Sequence, residues 1–228
     1  MVFPNPWLTF SLMFLIVWFV IWIVRGKLRK EMLQVSFITS LFGFTEPLFV
    51  PEYWNPPSLF NLATRTGFDI ESLIFCFAVG GIGSVIYEFL TKKRHKKIRR
   101  YRKDTERYRL HLMAIFSMPV FFIFLIIFSR LNPIYSAIIA MFIGSVFAIL
   151  CRPDLKARVF IGGASFFILY FVFFLLFNLM YPGLVQEVWS LSVLSGILLL
   201  GVPLEELLFA FTFGMLWSTY YEHLKWYK

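Results

Sequence analysis

Seven stretches of this 228-residue chain stay apolar for about 20 residues at a time: 7–24, 31–50, 69–90, 110–128, 134–151, 159–180 and 203–224. As helices, runs of that length cross the ~30 Å hydrocarbon core of a bilayer. Lipid offers no hydrogen bonds, so a spanning segment must satisfy its own backbone, which a helix does. The pattern therefore predicts an all-α polytopic membrane protein. With 59% hydrophobic and 15% charged residues and a mean hydropathy of +0.75, no polar stretch is long enough to fold alone. A further apolar stretch, 189–200, reads as a short eighth segment or as an outer extension of the last helix.

The net charge of +9 is unevenly distributed. Residues 25–30 hold 4 of the 22 Lys and Arg, 92–109 hold 11, 152–158 hold 3 and 225–228 hold 2. With seven spans, these four places share one side, and only Arg65 and Arg130 fall on the other. The positive-inside rule then predicts an outer N-terminus and a cytoplasmic C-terminus, in a multi-pass protein of the cell membrane. The run Lys92 to Arg100 is expected to anchor at anionic lipid headgroups, not at nucleic acid. At the N-terminus there is no basic n-region, and the first apolar run is too long for a signal sequence. Cys76 and Cys151 fall inside spans and imply no disulfide framework. His95, His111 and His223 are scattered, there is no CxxC or HExxH, and no metal is expected.

Sliding 69–90 onto 203–224, an offset of 134, aligns two spans without a gap. Nine of 22 positions are identical, among them Glu71/Glu205, Phe75/Phe209, Gly80/Gly214, Ser84/Ser218, Tyr87/Tyr221 and Glu88/Glu222. Roughly two would match by chance in so biased a composition. The first two spans fall approximately on spans five and six at the same offset. The chain thus reads as two parallel three-helix repeats joined by a linking helix, a 3+1+3 arrangement. Its parts are 1–91, a basic loop and linker over 92–133, and 134–228. Parallel repeats place a working site between their halves.

Pro203-Leu204-Glu205-Glu206 opens the last span. Carboxylates at membrane depth are costly and mark function or pairing. Two neighbouring ones are expected to share a proton, because burial and mutual repulsion both oppose full ionisation. Such a pair is suited to general acid–base work. Pro203 suits the first helical turn. Glu71 and Glu46 belong to the outer ends of other spans and are expected near the same level. Aromatic residues make up 21% of the chain, and Phe209 and Phe213 follow Glu205 on its helix face. Ring faces stabilise a cation. Glu88 and Glu222, beside basic residues, are expected to be interfacial anchors or salt-bridge partners. Gly80-Gly81-Ile82-Gly83 lies mid-span and reads as a close helix contact, not a dinucleotide fingerprint.

The sequence Pro203-Leu204-Glu205-Glu206-Leu207-Leu208-Phe209 resembles the small membrane-embedded lycopene cyclases, which occur as two three-span subunits or as one fused chain. In the first half, Pro51-Glu52-Tyr53-Trp54-Asn55-Pro56-Pro57 and Phe68-Asp69-Ile70-Glu71 resemble the corresponding outer loop and acidic helix start. The likeness covers essentially the whole chain. It departs at Asp69 and Ser72, which stand where the second half has Pro203 and Glu206. The resemblance implies proton-initiated, non-redox cyclisation of a linear carotenoid end group, with no flavin or other cofactor. It implies Glu205 and Glu206 as the acid/base pair and Glu71 and Glu46 as secondary members. Phe75, Phe209, Phe213, Trp54 and Asp69 are the expected substrate contacts. Expected partners are a lipophilic isoprenoid, membrane lipid and, for the assembly, a homo-oligomer. Three rivals remain beside it. One is a 3+1+3 transporter, disfavoured by few polar mid-span groups. Another is a retinal photoreceptor, disfavoured by the lack of a mid-span Lys. The third is a non-catalytic carotenoid- or lipid-binding protein. A C50 carotenoid is the alternative substrate.

Overall fold

A computed structural model describes residues 5–92 and 110–225. The run 93–100, on which the expectation of headgroup anchoring rests, and the tail 226–228 lie outside the described residues. Among those described, the chain is predominantly helical: α1 Pro6–Val24, α2 Arg29–Ser40, α3 Leu62–Thr66, α4 Ile70–Thr91, α5 His111–Phe128, α6 Pro133–Cys151, α7 Lys156–Met180, α8 Leu184–Val188 and α9 Leu204–Lys225. Five segments are long and apolar enough to cross a membrane: α1, α4, α5, α6 and Pro153–Met180, which contains α7.

The two other expected spans differ from the sequence reading. Residues 31–50 do not form one long α-helix. α2 ends at Ser40 and the chain tightens into a 3-10 stretch, Leu41–Leu48, with Pro47 inside it. Proline has no N–H to continue an α-helical ladder, which is one reason a long helix fails here. α9 has the length, but Glu205 and Glu206 in its first turn and His223 and Lys225 in its last lower its hydropathy. Its first residue is Leu204, so Pro203 precedes the helix. Pro203 closes a two-stranded ribbon, β1 Leu198–Leu199 with β2 Val202–Pro203. The connecting residues Leu200 and Gly201 both have positive φ, +52° and +82°, as a two-residue hairpin with the twist of its strands requires. The stretch 189–200 is thus a 3-10 turn at Leu191–Val193 followed by the first strand, not an eighth helix.

The chain divides into two compact units. The first takes the described residues of Met1–Ile82 and Leu169–Leu207. Here α1 starts at Asn5, whose side chain accepts the Leu8 N–H at 2.9 Å, with Pro6 in the first turn. α1 buries Trp7, Phe10, Phe14, Trp18 and Ile21, one stripe at helical spacing. Its opposite face is also apolar, with Ile16, Val20 and Ile23 exposed. A helix in water would be polar there, so this exposed face suits lipid. Gly80 and Gly81 let α4 approach α2 and α1. A Cβ on Gly80 would collide with Thr39, and one on Gly81 with Ser36 and Trp18. The expected close contact at this Gly cluster is present.

The second unit takes the described residues of Gly83–Ile168 and Leu208–Lys228. α5 packs along α6. α9 meets the first half of α7 through Gly214, where a Cβ would stand 2.7 Å from the Gly162 carbonyl. Gly214 thus serves here as its sequence match Gly80 serves in the first unit. Arg158 is buried between Glu88 and Glu222, paired with both. It also donates to the Ser218 carbonyl at 3.3 Å and lies 4.7 Å from the Tyr87 ring centroid. The matched glutamates are salt-bridge partners, as their basic surroundings suggested.

Candidate functional site

The carboxylates of the first unit are gathered at helix starts and in the 3-10 stretch. Asp69 caps α4, its Oδ1 accepting the Ser72 N–H. Glu71, with no exposed surface, accepts from the Asn5 amide at 3.0 Å and from the Leu59 N–H at 2.7 Å. Glu205 does the corresponding work in the second half, accepting the Ser195 N–H at 2.8 Å. Both matched glutamates therefore tie the loop that precedes their own helix. Glu46 is buried near Asp69, Glu71, Ser72 and Trp54, with its Oε1 left without a hydrogen-bond partner.

Glu206 stands apart. Tyr53 and Tyr170 each donate a hydroxyl to it at 2.5 Å, to Oε1 and Oε2 respectively. Trp189 Nε1 donates to Oε1 at 2.9 Å. Successive helix positions point about 100° apart, which is why Glu205 and Glu206 face different partners. The three donors arrive from a loop, from α7 and from the segment after α8. An antiparallel bridge holds two of them together: Trp54 pairs with Trp189, with Asn55 N–H on the Val188 carbonyl at 2.8 Å and Ser190 N–H on the Tyr53 carbonyl at 3.0 Å. Burial, then the neighbouring Glu206 carboxylate, hold the Tyr53 phenol well above its ordinary pKa of 10. Tyr53 is accordingly a fixed hydroxyl donor.

Beside Glu206 lies a small apolar cavity of about 10 Å³, walled by Trp7, Phe10, Trp54, Phe177, Val188 and Trp189. Behind this wall the aromatic packing is continuous. Phe10 contacts Phe14, Phe75, Tyr170, Phe174 and Phe177, with ring centroids 4.9–6.0 Å apart. Such a site excludes water, presents ring faces and holds one carboxyl group provided with three donors. That combination fits proton transfer to and from a hydrocarbon, with a cation between the two steps.

Of the residues singled out from the sequence, the first unit gathers Glu46, Asp69, Glu71, Glu205 and Glu206 together with Trp54 and Phe75. Phe209 and Phe213 lie in the second unit, stacked on each other at 5.8 Å, with Phe213 also against Phe166 and Trp217. Sequence reasoning missed Tyr170, Trp189, Trp7 and the role of Tyr53. Tyr170 carried a signal: it is the one tyrosine in 159–180, and a hydroxyl within an apolar span needs a partner. His111 and His223, 112 residues apart in sequence, stack at 6.1 Å in the second unit, a convergence no spacing disclosed.

Neither the curated proteins nor the solved structures contain a match to this chain. The family model for lycopene cyclase matches residues 132–224, from the residue that caps α6 almost to the end of α9. The matched stretch contains Tyr170, Trp189, Glu205 and Glu206, and over this second-half segment the chain is similar to the lycopene cyclase family.

Proposed function

We propose that the protein is a carotenoid end-group cyclase working inside the membrane by proton-initiated, non-redox cyclisation of a lycopene-type substrate. The observation that carries this reading is Glu206, buried beside an aromatic cavity and held by Tyr53, Tyr170 and Trp189. Its carboxylic acid protonates C2 of the terminal isoprene unit and leaves a tertiary cation at C1. The resulting carboxylate is the form that three donors favour, since hydrogen bonds to a charged acceptor are roughly twice as strong. The C5–C6 double bond attacks C1, the ring closes and the charge moves to C5. Removal of a proton from a neighbouring carbon restores the acid and a double bond. One proton enters and one leaves, so the product is an isomer. Glu205 and Glu71 hold loops in this scheme, and Glu206 alone carries the proton.

The reading extends to architecture. Long α-helices stand at six of the seven positions expected to span, a shorter helix and a 3-10 stretch at the seventh, and the matched pairs Gly80/Gly214, Glu71/Glu205 and Glu88/Glu222 serve similar ends. These support two parallel repeats, 1–91 and 134–228, joined by a linker and inserted in the cell membrane with the N-terminus outside. Expression in a lycopene-accumulating bacterium tests the activity. The expected result is a blue-shifted pigment with cyclic end groups and unchanged mass. Lycopene and other linear carotenoids left untouched by folded wild-type protein would reject the substrate.

A further inference from the structure

The cavity beside Glu206 measures about 10 Å³, the room of roughly one water molecule. An apolar cavity of about 150 Å³ is needed to take one benzene ring, so an isoprenoid end group does not fit behind this wall as it stands. Part of the wall has to move. The helical side is fixed: Phe10 is locked among five rings, Phe177 packs on Phe174 and Tyr181 at 6.0 and 5.2 Å, and Trp7 Nε1 donates to Ser72 Oγ at 3.4 Å. The other side comes from two segments with little regular structure. Residues 51–61 supply Trp54, Pro56 and Pro57, and residues 183–196 supply Leu184, Val188 and Trp189.

The two segments are held to each other by the Trp54–Trp189 bridge and by Ser190 Oγ, which donates to the Pro51 carbonyl at 3.1 Å. Each is also tied to a glutamate, Leu59 N–H to Glu71 and Ser195 N–H to Glu205. Their ends have hinge-like backbones. Gly183 and Gly196 have φ of +84° and +71°, and a Cβ on either would meet nothing within 4 Å. Glycine there serves backbone rotation and not a close approach. Phe60 and Asn61, next to Leu59, have φ of +54° and +53°. Side chains of L-residues rarely allow this region and hold it only where other contacts impose it. Phe60 is 77% exposed, so packing of its ring does not impose it, whereas the Glu71 tie acts on the residue before it. Motion of these segments reaches the acid directly: Tyr53 and Trp189, two of the donors to Glu206, ride on them, while Tyr170 sits in the long helix α7.

We propose that 51–61 and 183–196 form a two-part lid that opens to admit an apolar chain, turning at Gly183, Gly196 and the Phe60–Asn61 pair, and that its closure delivers Tyr53 and Trp189 to Glu206. Access and chemistry are thereby coupled, since Glu206 has its full set of donors only when the cavity is shut to water. The inference rests on the cyclase reading for the reaction that closure serves, but admission of an apolar chain needs no reaction.

The test locks the lid in the full chain, purified in neutral detergent, with Asn55→Cys and Val188→Cys. These positions adjoin the Trp54–Trp189 bridge on its two strands, where opposed Cα atoms stand about 4.5–5.5 Å apart, within disulfide reach. The probe is tritiated squalane, a saturated acyclic isoprenoid that cannot cyclise, counted on the protein. The oxidised chain should take it up about tenfold or more slowly than the same chain after dithiothreitol. A second measurement does not depend on the disulfide. Val188 and the native Cys151 are both buried, yet in the single variant Val188→Cys a maleimide should label the thiol at 188 about tenfold or more faster than Cys151. Adding Gly183→Ala and Gly196→Ala strains the closed form and should raise that labelling about threefold or more. Equal uptake by oxidised and reduced chains would overturn the lid, as would labelling of both thiols at one rate. Labelling unchanged by the two alanines would overturn the hinges. Cyclisation that proceeds equally with the lid locked and unlocked refutes the lid and leaves the cyclase reading standing. Lock-dependent uptake of squalane without cyclisation of any carotenoid does the reverse.

Discussion

Replacing Glu206 with glutamine separates the role of its carboxyl from that of its shape. The amide oxygen can keep the Tyr53 and Trp189 donors now 2.5 and 2.9 Å from Oε1, and the amide NH2 can donate to the Tyr170 oxygen that now stands 2.5 Å from Oε2. The reaction starts from the neutral acid, so the amide replaces one neutral partner by another, each hydrogen bond contributing about 0.5–1.5 kcal/mol in either case. The variant should therefore fold, with a midpoint in detergent close to wild type. Its chemistry should suffer far more, because glutamine has no proton to give at C2. General acid–base catalysis contributes about 10²–10⁴-fold, or roughly 3–5 kcal/mol of barrier. Pigment chromatography from lycopene-accumulating cells, corrected for protein amount, measures this loss. Glu205→Gln is the matched control, since its amide oxygen still accepts the Ser195 N–H; its loss should stay within about tenfold. Glu206→Gln keeping wild-type activity to within about threefold, or Glu205→Gln being the deeper lesion, would refute the assignment of the proton to Glu206.

Other outcomes follow from the same contacts. Tyr53→Phe and Tyr170→Phe each remove one donor to Glu206 and should slow turnover about 10–100-fold, as single-turnover rates would show; unchanged rates in both would mean that the anion is not the stabilised form. The raised Tyr53 pKa means that the folded state holds this proton more firmly than the unfolded state. Its contribution to stability is complete below pH 10 and is lost as pH rises above it, so Tyr53→Phe should flatten the fall in thermal midpoint measured in alkaline buffer. Arg158→Met strands Glu88 and Glu222 together in a buried site and should cost about 3–5 kcal/mol, read as a shortened half-life in detergent at raised temperature. Adding Glu88→Gln and Glu222→Gln to that variant should restore most of the loss. Gly214→Leu should destabilise by at least about 1–3 kcal/mol because the Gly162 carbonyl occupies the space its Cβ needs; a wild-type melting curve would contradict that packing.

What this sequence determined by itself is what depends on local chemistry and on self-similarity. Apolar length identified membrane-type helices, since lipid permits few other backbone solutions. The offset of 134 picked out Gly80/Gly214 and Glu88/Glu222, and those pairs do meet close helix contacts and a shared arginine. The two acidic residues after Pro203 were also legible, because a carboxylate in an apolar run is conspicuous wherever it points.

Which carboxyl meets the tyrosine and tryptophan donors was decided only in three dimensions. Glu205 and Glu206 are neighbours in sequence, yet one step along a helix turns the side chain by about 100°. That turn gives Glu205 a backbone N–H from its own loop and gives Glu206 two tyrosines and a tryptophan from 17 to 153 residues away. No periodicity records such pairings, because they depend on the Trp54–Trp189 bridge that joins a loop of the first half to one of the second. The break of the second span at Ser40 and the ribbon that ends at Pro203 were equally hidden, since both were read as part of an apolar helix. Composition reports how much apolar surface a segment must bury or show to lipid; where the chain bends to bring three donors onto one oxygen pair is a property of the packed fold.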